Sequence, residues 1–346
     1  MRPLFVLVLL SCSDYDLSGK DDHEGPRRDE EDPAPDTDTD VADDSGSPDT
    51  DTNDDTDDTD DTDDTGDTGE SPDGKIDVVL IIDVAYSYDC YRVELPSRTN
   101  ALIEALMDSG ADVAISIATY DDYDVDGEWW VAYGGNPYTL EQQLTTDRAR
   151  LLAVAGALEF TWGGDGPGTG YEAIVQATTG LGYDQDCNSR FDSPKDIKPF
   201  RASGSDAFGG AANGVNDSSV PGTGTIAGVG FRESSKRVVV VFAENSMRDR
   251  GNGDDVPSGA CLGVAGRSDA VTAIQDADAK FLGVNAYEFW DMDSTPQDQL
   301  EDIATRTNSR IDADGDGARD DVAVFGGDWD WPTTPTLVAA IWDLAR

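Results

Sequence analysis

The residues best placed to do chemistry begin with the stretch Lys75-Ile76-Asp77-Val78-Val79-Leu80-Ile81-Ile82-Asp83-Val84-Ala85-Tyr86-Ser87. A continuous run rich in Val and Ile ends in an aspartate, and a serine follows four residues on. This pattern predicts a buried strand of a parallel sheet that delivers a carboxylate and a hydroxyl to a loop at its C-terminal end. Ligand sites of open α/β sheets form at such strand ends. Two hard oxygen ligands suit a small divalent cation, Mg2+ or Ca2+.

A second group of oxygen ligands is more compact. In Asp312-Ala313-Asp314-Gly315-Asp316-Gly317-Ala318-Arg319-Asp320-Asp321, three aspartates alternate and glycine takes the sixth position. That is the pattern of a calcium loop, in which alternate carboxylates point inward and the glycine permits a sharp turn. Asp320 falls at the ninth position, and the backbone carbonyl of Ala318 serves at the seventh. Ala323 stands at the twelfth, where an EF-hand has a bidentate glutamate, so Asp321 is the substitute ligand. No second helix is expected to follow. The reading is a Ca2+-stapled loop resembling those of extracellular calcium-binding repeats; its alternative is a solvated acidic turn.

Other chemistries are excluded by what the chain lacks. The one histidine, His23, lies in an Asp/Thr-rich stretch, so no Ser-His-Asp or Cys-His arrangement and no histidine-ligated metal belongs to the folded part. The formal charge is −48, and residues 74–346, with 45 acids against 20 bases, hold −25 of it. Nucleic acid is not an expected partner, because binding it requires basic neutralisation of phosphates. The acid excess fits cation binding or a surface solvated for a salty habitat. Cys187, Cys90 and Cys261 show no zinc-site spacing. Cys90 and Cys261 are both expected in loops that follow strands and are the candidate disulfide.

Residues 13–73 are expected to be a disordered acidic linker, with runs such as Asp54-Asp55-Thr56-Asp57-Asp58-Thr59 whose like charges repel and extend the chain. Residues 1–12 resemble a bacterial lipoprotein signal peptide. Leu9-Leu10-Ser11-Cys12 resembles a lipobox, with Cys12 the lipidated residue, although the segment is short and Leu10 is bulky for its position. That resemblance implies a lipid anchor in the bacterial envelope, on the outer membrane facing outward, as the chain's sole membrane contact. The apolar run is too short to span a bilayer as a helix.

The carboxylates must be positioned by residues 74–346, which read as one domain. A strand over about 76–82 is followed by a helix over Ser97–Asp108, with start signals at Pro96 and Ser97 and a stop at Gly110. A second strand over Ala111–Tyr120 runs into Asp121-Asp122, completing a βαβ unit. Helical spacing covers Thr146–Leu158, and another helix starts near Tyr171 after the turn Gly163-Gly164-Asp165-Gly166-Pro167-Gly168-Thr169-Gly170. That turn lacks the lysine of a P-loop, which argues against a nucleotide. Residues 184–227 read as an insertion or mobile loop. Lys236–Glu244 repeats the opening theme of a β-branched run ending in an acid. A helix near 267–279, a strand over Ala279–Tyr287 and helices over Pro296–Thr305 and Pro335–Leu344 complete a doubly wound, mostly parallel α/β sheet.

These blocks resemble the von Willebrand factor A-type (vWA) domain, and within it the I-like domain of integrin β subunits, over most of residues 75–346. Asp83-Val84-Ala85-Tyr86-Ser87 is similar to the family's Asp-x-Ser-x-Ser adhesion motif. Leu144-Thr145-Thr146-Asp147-Arg148, then Gly164-Asp165-Gly166-Pro167 through Tyr171-Glu172-Ala173-Ile174-Val175-Gln176, then Gly230-Phe231-Arg232 with Val238–Glu244 resemble the following blocks in order. The resemblance implies a cation site of Asp83, Ser87, Asp121, Asp165 and Glu244. It also shows erosion. Ala85 replaces a serine ligand, Gly168 stands at a ligand position with Thr169 adjacent, and Cys90 and Tyr91 replace two acids.

The implied function is a surface-anchored, metal-dependent adhesion module that docks a protein or polysaccharide at the C-terminal edge of the sheet. Trp129, Trp130, Trp290, Trp329 and Trp331 are available as contact surface or as core. The alternative is a structural envelope lipoprotein whose eroded scaffold is stabilised by calcium. A carboxylate-based glycan hydrolase is disfavoured, and an enzyme is not expected, because no motif places two acids as acid and base.

Overall fold

The computed structural model describes residues 74–85, 89–123, 136–161, 167–192, 196–202, 204–210, 215–249, 251, 264–286, 296–326 and 331–346, with side chains of the first helix from residue 94 onward. The elements, in order, are β1 (Lys75–Asp83), α1 (Asp89–Asp108), β2 (Asp112–Tyr120), β3 (Thr139–Thr145), α2 (Arg148–Ala155), α3 (Gly170–Thr179), β4 (Lys236–Ala243), α4 (Arg267–Asp276), β5 (Ala279–Asn285), α5 (Gln297–Arg306), β6 (Arg310–Ile311), β7 (Asp321–Val322), β8 (Val324–Gly326) and α6 (Thr334–Ala345). Six strands form one sheet in the order β3-β2-β1-β4-β5-β8, and β6 pairs with β7 separately. All pairs in the large sheet are parallel except β2 with β3.

β1 is therefore central and hydrogen-bonded on both sides. Its residues Ile76 to Asp83 are all buried, as expected of a strand covered on both faces. Alternate side chains enter two cores. Ile76, Val78, Leu80 and Ile82 face α1, α2 and α6 through Leu102, Leu106, Leu151 and Ile341. Val79 and Ile81 face α3, α4 and α5 through Ile174, Ile274 and Ile303. Burying each such aliphatic side chain contributes about 1.5–3 kcal/mol, so the two-sided run is the main fixture of the fold.

The N-terminal end of the sheet is closed by a polar clasp. Asp77 is wholly buried and accepts from Arg232 Nε at 2.6 Å, from the Arg232 backbone N–H at 2.7 Å and from the Ser235 hydroxyl at 2.7 Å. Arg232 also donates to Asp112 Oδ1 at 2.6 Å and to the carbonyls of Ile76 and Asp112. One guanidinium thus ties β1 and β2 to the turn that feeds β4.

Between α3 and β4 runs a long segment without helix or strand among its described residues. It is anchored by packing at Phe200, Val220, Val229 and Phe231, all buried, and by a close backbone approach. A Cβ on Gly228 would sit 1.8 Å from the Gln176 carbonyl oxygen, so its chain lies directly on the end of α3. There Gly180 caps the helix at φ +66, a conformation that favours glycine.

Several boundaries differ from the sequence reading. α1 begins at Asp89, not at Ser97, and carries Pro96 inside it, where proline removes one i→i−4 hydrogen bond and crowds the preceding turn. Cys90 consequently lies in the first turn of a helix and not in a loop. The Thr146–Leu158 pattern yields the shorter α2, started by the Asp147 side chain accepting from Arg150 N–H. β3, β6, β7 and β8 were not anticipated; β6, β7 and β8 are two or three residues long, too short for periodicity to register.

The clasp gives the first prediction. Arg232→Ala strands a buried carboxylate and should lower the unfolding free energy by about 3–5 kcal/mol. Arg306→Ala, which removes a half-exposed i,i+4 pair with Asp302, should cost under about 1 kcal/mol. Urea denaturation of both variants checks this, and equal losses would refute the assignment.

Candidate functional site

Register brings three acids to one end of the sheet. Asp83 lies opposite Tyr120 of β2, and Ile82 opposite Phe242 of β4. The residues that leave those neighbouring strands at the same level are Asp121 and Glu244. The order β3-β2-β1-β4-β5 reverses direction of winding between β1 and β4, which makes this edge a topological switch point, where α/β sheets form their ligand crevice.

Asp83 is completely buried. Its Oδ1 accepts from the Ala85 N–H at 3.0 Å and its Oδ2 from the Glu244 N–H at 3.2 Å. Burial pushes its carboxyl up to about 7, offset in part by the Ala85 N–H and reinforced by the charge of Asp121. Asp121 is also buried, and burial raises its carboxyl to about 6 while the Thr161 hydroxyl, which donates to Oδ2, opposes the shift. Asp121 Oδ1 is buried without a hydrogen-bond donor. A buried carboxylate oxygen in that state is costly unless a cation or a proton reaches it. Glu244 is buried beside them.

The donor set suits a hard divalent cation held by Asp83, Asp121 and Glu244, but these do not yet close around one point. Among the described residues, the acids whose oxygens lie within 4.8 Å of one another in threes are Asp312, Asp314, Asp316 and Asp184, Asp186, Asp196. Asp121 is turned toward Thr161, a residue the sequence reading missed; its signal was only the polar step in Phe160-Thr161-Trp162. Thr169 is not free to replace the ligand missing at Gly168. Its hydroxyl lies at 3.0 Å from both the Asp121 and Pro137 carbonyls. Gly168 leaves a close approach here, since a Cβ on it would stand 3.3 Å from the Asp121 carbonyl oxygen. Ser87, Asp165, Cys12, Cys261, Trp129, Trp130, Trp290 and Trp329, and the side chain of Cys90, lie outside the described residues. Trp331 is half-buried, stacked on Phe242 at 6.3 Å with Arg98 over its ring, so it packs against the core rather than presenting a contact face.

The loop of Asp312 brings carboxylate oxygens of Asp312, Asp314 and Asp316 within 4.8 Å of one another. It joins the antiparallel pair β6–β7. Asp312 Oδ2 accepts the Gly317 N–H at 2.9 Å, Asp314 accepts from Asp316 at 3.1 Å, and Asp316 from Ala318 at 2.7 Å. Gly317 has φ +89, the left-handed turn that selects glycine. Asp312 Oδ1 is buried and has no hydrogen-bond donor. Asp320 and Asp321 do not join the cluster of Asp312, Asp314 and Asp316; Asp321 instead accepts the Ala313 N–H at 2.9 Å and closes the hairpin. Asp343 of α6 accepts the Asp312 N–H and pairs with Arg346, tying the loop to the last helix.

The trio Asp184, Asp186 and Asp196 was also missed, although Asp184, Asp186 and Asn188 alternate as oxygen ligands do. Asp184 accepts the N–H groups of Asn188 and Ser189, and Asp196 those of Gln185 and Asp192. These acids organise the backbone of their own loop.

Two predictions follow from the two acid groups. Calcium should raise the melting temperature of the protein, and Asp312→Ala with Asp314→Ala should remove most of that rise; a calcium-independent melt would refute the loop. In chelator, a carboxyl whose folded value is raised contributes its stability below the unfolded value near 4 and loses it as pH climbs through 6 to 7. The rise at Asp83 corresponds to roughly 4 kcal/mol as an upper figure. Melting should therefore fall between pH 4 and 7.5, and Asp83→Asn should flatten the fall; an unchanged slope in that variant would contradict the assignment.

No family model matches the chain, and no curated protein matches it. Among solved structures it is similar to two structures of proximal thread matrix protein 1 from the mussel byssus, each at 10% identity. One covers 79% of this chain and 46% of that chain with a TM-score of 0.38. The other covers 68% and 40% with a TM-score of 0.33. The chain spans less than half the length of those structures.

Proposed function

We propose that residues 74–346 form a vWA-like binding module that docks a protein or polysaccharide at the C-terminal edge of its sheet through a divalent cation. The observation that carries this reading is the buried, donorless Oδ1 of Asp121 beside the raised carboxyl of Asp83 at the switch point. In this reading Asp83, Asp121 and Glu244 hold the cation, Mg2+ or Ca2+, with Ser87 and Asp165 as further ligands, and the backbone N–H groups of Ala85 and Glu244 orient the Asp83 carboxylate. Bound metal would supply a positive centre for an acidic or hydroxyl-bearing group of the partner. Thr161 keeps one oxygen of Asp121 fixed, leaving the other for coordination.

The same reading places the module outside the cell, anchored through lipid on Cys12 and held off the membrane by the acidic linker, and assigns it no catalysis. A second reading is favoured by the Asp312 loop. That loop is tied to α6 through Asp343, so its calcium would be structural, and the chain would be a calcium-stabilised envelope component.

Titration calorimetry of the full chain with Mg2+ and Mn2+ decides between them, using Asp312→Ala with Asp314→Ala as background. Asp121→Ala in that background should weaken binding at least tenfold, about 1.4 kcal/mol. Superimposable isotherms would remove the strand-end cation and leave the structural reading.

A further inference from the structure

We propose that the groove between α3 and α4 is a second docking surface, for a basic segment of a partner protein that carries aliphatic anchors. The groove holds about 540 Å³. Val175, Val264 and Ala273 give it apolar walls. At its edge stands Leu181, 45% exposed, one of two large hydrophobic side chains so exposed among the described residues. An aliphatic side chain left in water at the lip of an apolar groove is a natural anchor point.

Charge selects the occupant. Glu172, Asp269 and Asp276 line the groove, and no lysine or arginine does among the described residues. Glu172 is buried and fully engaged, accepting from the Tyr123 hydroxyl at 3.1 Å, the Ala265 N–H at 3.0 Å and the Gln176 amide at 2.8 Å. Burial raises its carboxyl above the usual range, so the charge offered to a partner is that of Asp269, exposed like Asp276. Asp276 is exposed on the rim. Lys and Arg lay their methylene stems on apolar surface while their charged ends reach carboxylates, which matches an apolar floor under an acidic rim. An amphipathic helix entering a groove between helices presents such side chains at i, i+3 and i+4. A second copy of this chain is a poor occupant, since it would bring a molecule of formal charge −48 against acids.

The test is fluorescence anisotropy of a labelled amphipathic Leu/Lys helical peptide with the full chain, in chelator so that no cation site contributes. The Leu/Glu counterpart serves as the reversed-charge control. Thr272→Arg and Asp276→Lys change exposed groove residues of α4; Glu104→Lys changes an exposed acid of α1 on the opposite face. Both groove variants should weaken the Leu/Lys peptide about tenfold or more, and Leu181→Ser should weaken it as well, while Glu104→Lys leaves it within about twofold. Matching melting temperatures establish that all four variants are folded. Equal weakening by Glu104→Lys would mean general attraction to an acidic surface and overturn the proposal. So would unchanged binding in the groove variants, saturable binding of the Leu/Glu peptide, or self-association of the chain that Thr272→Arg abolishes.

Discussion

Burial of the Asp83 carboxylate is the constraint around which this fold is arranged. The residue ends a central strand that is hydrogen-bonded on both sides and covered on both faces, and its side chain is wholly buried. Backbone N–H groups of Ala85, Glu244 and Asn245 stand in for hydration. The strand order then brings a second buried acid, Asp121, to the same level. Two carboxylates in low dielectric repel each other and resist ionisation together. The arrangement is stable with a proton or a cation present and strained with neither, and that is a physical reason for a binding site at this edge.

The opposite end of the sheet solves the same problem differently. Asp77 lies on the same strand and the same face by period-two alternation, six residues earlier, and is equally buried. There the chain supplies the counter-charge itself, with Arg232 reaching Asp77, Asp112 and two carbonyls. An internal guanidinium makes a permanent joint. At the Asp83 end, backbone amides and the Thr161 hydroxyl orient the carboxylates.

Much of this was legible in residue order. The apolar runs at Val78–Ile82 and Val238–Val241 mark buried strands because no amphipathic helix tolerates such unbroken apolarity, and their spacing leaves room for crossover helices. The acids that end them were legible for the same reason: a charge closing a buried run must leave through the strand end. The loop of Asp312 was readable from alternation and one glycine. What was not legible depended on contacts distant in sequence. Arg232 pairs with a residue 155 positions earlier, and Thr161 with one 40 positions earlier. Thr169 looked like a replacement ligand by adjacency, yet its hydroxyl is drawn to the carbonyls of Asp121 and Pro137, a geometry that only the folded loops create.

Stability and binding also draw on different acids. The Asp312 loop joins two strands of two residues each, which on their own make too few hydrogen bonds to hold a hairpin. Its order must come from its internal carboxylate-to-amide bonds, from Asp343, and from whatever satisfies the buried Oδ1 of Asp312. Because β8 follows β7 after one residue and completes the sheet beside β5, the state of that loop reaches the sheet's edge directly. The strand-end acids have no such dependence, being fixed by the central strands. A cation at the loop would therefore act on the persistence of the fold, whereas one at Asp83 and Asp121 would act on the crevice.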